Sequence, residues 1–167
     1  EILRCRSFVS ADAPVFLTVP PDKMQAAESF TQGLPNISLT SAPNRGRDIA
    51  PFLGLLQSGV FDEFDVVLKL HTKRSPHLLD GEARRKLLFL MLCGERQATL
   101  KALAAFEEPT TGMVGWAACW REAPPYWMAN RARVEGIARR MGASDDATRL
   151  GFFEGSMFWF RPKALAA

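Results

Sequence analysis

The 167-residue sequence predicts a single α/β domain, residues 1–167, with a mainly parallel sheet flanked by helices. Three observations carry that expectation. Short apolar, β-branched runs alternate with helical patterns from residue 15 to residue 70. Glycine or proline punctuates each changeover. Basic residues gather where a turn enters a helix and where a strand stops, the places at which open α/β sheets collect phosphorylated ligands.

Residues 15–19, VFLTV, read as a buried strand closed by Pro20 and Pro21. Asp22 is suited to cap a helix running to about Phe30. Gly33, Pro35 and Asn36 then break the chain before a second strand at 37–40. After Pro43 and a glycine turn, Ile49, Phe52, Leu53, Leu55 and Leu56 form a helical apolar face, with Pro51 tolerable in the first turn. Gly59 ends that helix and a strand follows at 65–70. A turn-rich loop at 75–81 leads to helices at 82–93 and 95–106, separated by Gly94. A strand is expected at 112–116, an aromatic and proline-bearing loop at 117–128, a helix at 129–141 ended by Gly142, and a last strand at 155–161 stopped by Pro162. The central sheet should contain 15–19, 37–40, 65–70, 112–116 and 156–160.

Composition narrows the function. A net charge of +3 suits a local anion site and falls short of the broad basic surface of a nucleic-acid binder. Three widely spaced cysteines, Cys5, Cys93 and Cys119, have neither disulfide-framework nor metal-ligand spacing and read as reduced thiols in a cytosolic protein. The longest apolar run, 87–92, is far below the ~20 residues a bilayer span requires. No signal peptide is visible, and the opening at Glu1 is compatible with a fragment of a longer protein.

Two segments carry the chemistry. In Asn44-Arg45-Gly46-Arg47-Asp48 a glycine-centred turn opens onto a helix whose first amides attract anions, and the two arginines add charge-assisted contacts. Asp48 can accept from a sugar hydroxyl or simply cap the helix. In the second segment Lys69 lies inside an apolar strand, so it should face an opening or pair with Asp48 or Asp65, because an unpaired buried ammonium is costly. The chain's two histidines, His71 and His77, flank Thr72, Lys73 and Arg74. His71 suits general acid-base work; two histidines six residues apart with no acidic neighbour make a poor metal site. A third stretch, Glu154-Gly155-Ser156-Met157-Phe158-Trp159, joins a carboxylate to aromatics that either stack on a sugar or fill the core. No nucleophile elbow, Walker loop or metalloprotease helix is present.

Taken together, NRGRDIAPFL (44–53), DVVLKLHTKRSPH (65–77), the helix pair around Gly94, TTGMVG (110–115), Trp127 with Asn130, and GSMFWFRPKAL (155–165) resemble the rhamnan synthesis protein F family of bacterial cell-surface polysaccharide assembly. The stretches run in order from about Leu17 to Leu165. The resemblance implies a GT-A-like, Rossmann-like fold and a glycosyltransferase, with a nucleotide-diphospho-sugar donor and dTDP-rhamnose as first candidate. It implies donor contacts at Asn44, Arg45, Gly46, Arg47, Lys69, Thr72, Lys73 and Arg74, and acceptor or sugar contacts at His77, Trp127, Asn130, Ser156 and Trp159. Asp48, His71 and Glu154 are the catalytic candidates; Glu154 is a reading of this sequence alone.

The strand that would end in Asp-x-Asp in a typical GT-A enzyme ends here in His71-Thr72-Lys73, so side-chain cations rather than a metal are expected to neutralise the diphosphate. No cofactor is expected. The partners implied are the donor, a glycan or lipid-linked glycan acceptor, and other polysaccharide-assembly enzymes. The expected setting is O-antigen or other lipopolysaccharide synthesis in the cytoplasm, or at the inner face of the membrane. The competing reading is a non-catalytic glycan- or nucleotide-binding module of a larger synthase.

Overall fold

The computed structural model describes residues 2–10, 12–72, 80–123, 125–144, 146, 149 and 151–165. Helix α1 (Ile2–Val9) precedes a β-α-β unit: β1 (Val15–Val19), helix α2 (Met24–Thr31) and β2 (Ile37–Ser41). These two strands pair in parallel, from Val15 opposite Ile37 to Val19 opposite Ser41. Helix α3 (Ile49–Gln57) then leads to β3 (Val67–Lys69), and α4 (Gly81–Cys93) and α5 (Arg96–Ala105) lead to β4 (Met113–Val114). The chain closes with β5 (Trp120–Arg121), α6 (Arg131–Arg140), β6 (Phe152–Phe153), β7 (Phe158–Phe160) and α7 (Pro162–Leu165).

The strands do not form one mainly parallel sheet. β1 and β2 stand as a two-stranded sheet, β7 lies antiparallel between β3 and β4, and β5 pairs antiparallel with β6. This overturns the GT-A-like, Rossmann-like sheet expected above. The strand positions were legible, because an apolar run marks burial. The direction of pairing was not, since a run buried on both faces reads alike in parallel and antiparallel surroundings. Helix α1 and the antiparallel β5–β6 pair were not foreseen either.

Strand β7 explains how the domain holds together. Successive side chains of a strand point to opposite faces, and both faces of Phe158-Trp159-Phe160 are covered. Phe158 and Phe160 meet Phe52 of α3 edge-on, with ring centroids 6.2 and 5.4 Å away, and Phe160 meets Phe61 at 6.0 Å. Trp159 belongs to the opposite core, built on Leu88, Phe89, Leu92 and Cys93 of α4 with Ala102 and Phe106. Its indole N–H donates to the Leu92 carbonyl at 3.1 Å, so the one polar atom of the ring is satisfied where it is buried. Just past β7, Arg161 donates to the carbonyls of Thr111 and Phe106, which fastens the end of α5 beside β4. Among the described residues no helix is long and apolar enough to cross a membrane.

Candidate functional site

A cleft of about 1240 Å³ opens between β1 and β3. Its mouth lies where β1 and β3 end, because Ala42 continues from β2 to bond the Val19 carbonyl and Lys69 reaches the start of α3. Asn44, Arg45, Gly46, Arg47, Asp48, Lys69, His71 and Thr72 all line it. Six of the residues expected to act at one site, Asn44, Arg45, Arg47, Asp48, Lys69 and His71, thus share this cleft with Gly46 and Thr72. Lys73, Arg74 and His77 lie outside the described residues.

The turn before α3 is held in a form few residues adopt. Gly46 has φ +74°, and a Cβ there would fall 2.4 Å from the Ala50 Cβ. Arg47 follows with φ +58°, a left-handed conformation unusual for a long side chain. The result presents Arg45 and Arg47 to solvent in front of a helix N-terminus. Among the described residues neither makes an ion pair.

Lys69 is the buried centre of the site. Its ammonium donates to Asp48 Oδ2 at 2.9 Å, to the Ser156 carbonyl at 2.5 Å and to Ser156 Oγ at 2.9 Å. The rings of Phe52 and Phe158 sit 5.3 and 5.6 Å from it, adding cation–π attraction. The pair with Asp48 is the one the buried-lysine argument anticipated. Asp48 stands at the N-cap of α3 but makes no side-chain cap bond and turns its carboxylate to Lys69.

Burial pushes the Asp48 carboxyl up, but the hydrogen bond and charge of Lys69, aided by His71, outweigh it and hold the group below its ordinary 3.8. For Lys69, burial depresses the ammonium below its ordinary 10.5 and Asp48 pushes back only in part. One shift reports attraction and the other desolvation. The three short bonds to Lys69 support an ionised pair at neutral pH, with the cost of burial falling on the lysine.

His71 is tied to the same turn from the other side. Its Nε2 lies 2.7 Å from the Gly155 carbonyl, which can only accept, so that nitrogen carries the proton. Gly155 has φ +90° and Ser156 φ +55°, two left-handed residues in succession. A non-glycine residue held there costs about 1–3 kcal/mol and persists when its surroundings dictate it. Lys69 and His71 are those surroundings.

Glu154 sits just before this turn but not in the cleft. Arg121 Nη2 approaches its Oε2 at 2.7 Å and Arg84 Nη1 its Oε1 at 3.4 Å. Tyr126 stacks against Arg121 with 5.5 Å from guanidinium to ring centre. Trp127 and Asn130 belong to a 3-10 segment (Pro125–Asn130) that does not line the cleft. Trp159 reaches the cleft wall but is 2% exposed, so it packs rather than offering an open face to a sugar. Ser156 serves Lys69. Among the described residues no three His, Cys, Asp or Glu side chains converge as a metal site would require.

Sequence reasoning missed Arg84 and Arg121, whose pairing with Glu154 spans 70 residues in one case, and Arg6 of α1, which lines the far end of the cleft. None of the three stands in a motif. Only the tertiary structure brings them to their partners.

Comparison with known proteins agrees with the resemblance drawn from the motifs. Residues 6–167 match the family model described as rhamnan synthesis protein F. Relatives from two strains of Xanthomonas campestris pv. campestris, both named uncharacterized protein WxcX, are 33% identical over 122 residues, or 73% of this chain. That stretch is 18% of each relative, so the chain corresponds to a small part of their length. No solved structure gives a significant match.

Proposed function

Because the chain belongs to the rhamnan synthesis protein F family, we propose that it serves polysaccharide synthesis by binding a nucleotide-diphospho-sugar at the mouth of the cleft and taking part in sugar transfer. Rhamnose is the first candidate sugar. One observation carries this reading: Arg45 and Arg47 stand exposed and without ion pairs among the described residues, on a left-handed turn before a helix N-terminus. The nearby Lys69 is already neutralised by Asp48. Among the described residues, the free positive charge of the mouth therefore resides in the two arginines and the helix amides, a set suited to phosphate oxygens. During transfer these groups would stabilise the departing diphosphate.

A second reading, a donor-binding module that relies on another domain for acceptor activation, has its own support. Two of the three candidate bases are paired with cations: Asp48 with Lys69, and Glu154 with Arg84 and Arg121.

Calorimetric titration with dTDP-rhamnose tests the shared premise. Arg47→Ala removes a charge-assisted contact of about 1.5–3 kcal/mol, so donor affinity should fall roughly tenfold to a hundredfold. EDTA should leave wild-type binding unchanged. Unchanged affinity in Arg47→Ala, or binding abolished by chelation, would remove the proposed site. A transfer assay on the same protein then separates the two readings, since the module alone binds donor without turning it over.

A further inference from the structure

Behind its basic mouth the cleft has the shape of a slot between two strand edges. Every residue of β1, Val15–Val19, lines it, and so does every residue from 66 to 70. A cavity over one face of a strand touches alternate residues only, because neighbouring side chains point to opposite faces. Consecutive lining means that the cavity meets the backbone edge. Among the described residues β1 pairs only with β2, and β3 only with β7, so both edges facing the slot are unpaired. Such edges carry rows of N–H and C=O groups that invite another strand.

We propose that this slot accepts an extended peptide strand, with a carboxylate at the end that lies by Arg6. The inference does not depend on the donor reading, which concerns the mouth. Hydrocarbon would match the apolar side chains of Phe16, Leu17 and Val67 but leave both backbone edges unsatisfied, at a cost for each covered polar group. A peptide strand satisfies both edges and presents side chains to the apolar walls. β1 offers five residues of edge, roughly 17 Å at about 3.3 Å per residue, the ordinary length of a pairing strand.

Charge fixes which end is which. Arg6 sits at the N-terminal end of β1, where its Nε donates to the Ala13 carbonyl at 3.0 Å. Its Nη2 is buried with no acceptor among the described residues. A buried guanidinium N–H without a partner is costly, and a carboxylate on the incoming strand supplies the acceptor.

The experiment is selection of a displayed random heptapeptide library on the purified chain, followed by hydrogen exchange with the enriched synthetic peptides. Enriched peptides should alternate β-branched residues and carry a terminal acidic residue. They should slow exchange in residues 15–19 and 66–70 together, and lose at least tenfold in affinity on N-methylation of alternate backbone amides. Arg6→Gln should abolish the preference for the acid while leaving donor binding at the mouth intact. Several outcomes would overturn the proposal: no enrichment, protection of one strand only, indifference to N-methylation, an acid preference that survives Arg6→Gln, or protection of both strands by dodecyl phosphate but not by peptide.

Discussion

Lys69→Met removes the ammonium on which the site is built and keeps most of the side-chain volume. Asp48 would then remain with its side chain 15% exposed and without its ammonium partner, while the Ser156 carbonyl and hydroxyl lose their donor. Breaking a buried pair by removing one partner costs about 3–5 kcal/mol, because the other charge stays desolvated. The Lys69 side chain is only 4% exposed, so little solvent screening reduces that figure. Loss of cation–π attraction to Phe52 and Phe158 adds to the cost, and the thioether packing on those rings offsets part of it.

Urea unfolding followed by tryptophan fluorescence measures the effect, with the buried Trp159 as a reporter. With a slope of about 2 kcal/mol/M, the midpoint should fall by roughly 1.5–2.5 M. Adding Asp48→Asn to the variant removes the stranded charge and should restore at least about 1 kcal/mol, within the range of coupled neighbours. A midpoint within about 0.3 M of wild type would refute the reasoning, since such a shift is far too small for a broken buried pair. So would a double variant less stable than Lys69→Met alone.

The same pair sets an acid limit. Asp48 has a folded pKa below its ordinary 3.8, so its contribution is present above that value and is lost as pH falls through the lower folded one. In Lys69→Met the lysine no longer lowers the Asp48 carboxyl while burial still raises it, so stability relative to wild type should rise on acidification; urea midpoints at pH 6 and pH 4 that move alike in both proteins would contradict this. Burial pushes the Cys119 thiol up, as does the charge of Glu154, and Cys93 is raised by its hydrogen bond to Cys5 and by burial. All three cysteines are buried and in no disulfide, so a disulfide reagent at pH 7 should label them only after denaturation, and rapid native labelling would count against the packing of α1 on α4. Glu154→Gln should change stability by less than about 1 kcal/mol, because its pairs are half-exposed. It should leave donor affinity at wild-type level, and a large loss of affinity would bring Glu154 into the donor site.

The parts of this molecule that were legible in the sequence are those governed by local rules. Gly46 between two arginines signals a turn because a Cβ has no room there, and Lys69 within an apolar strand signals a partner because an unpaired ammonium is costly there. Both inferences need only neighbouring residues and a statement about burial. The sheet was misread because its decisive strand, Phe158–Phe160, lies about 90 residues after β3 in sequence yet pairs beside it, and nothing local says in which direction it enters. The partners of Glu154 were hidden for the same reason, since its two arginines come from α4 and β5. The site itself straddles these two kinds of information: the turn at 44–48 is local, whereas the left-handed Gly155–Ser156 turn is imposed by Lys69 and His71 across the sheet. Mutations at Lys69 should therefore disturb a turn 87 residues away, while mutations at Arg45 or Arg47 should change ligand binding with the fold left intact. That division separates the residues that build this site from those available to a ligand.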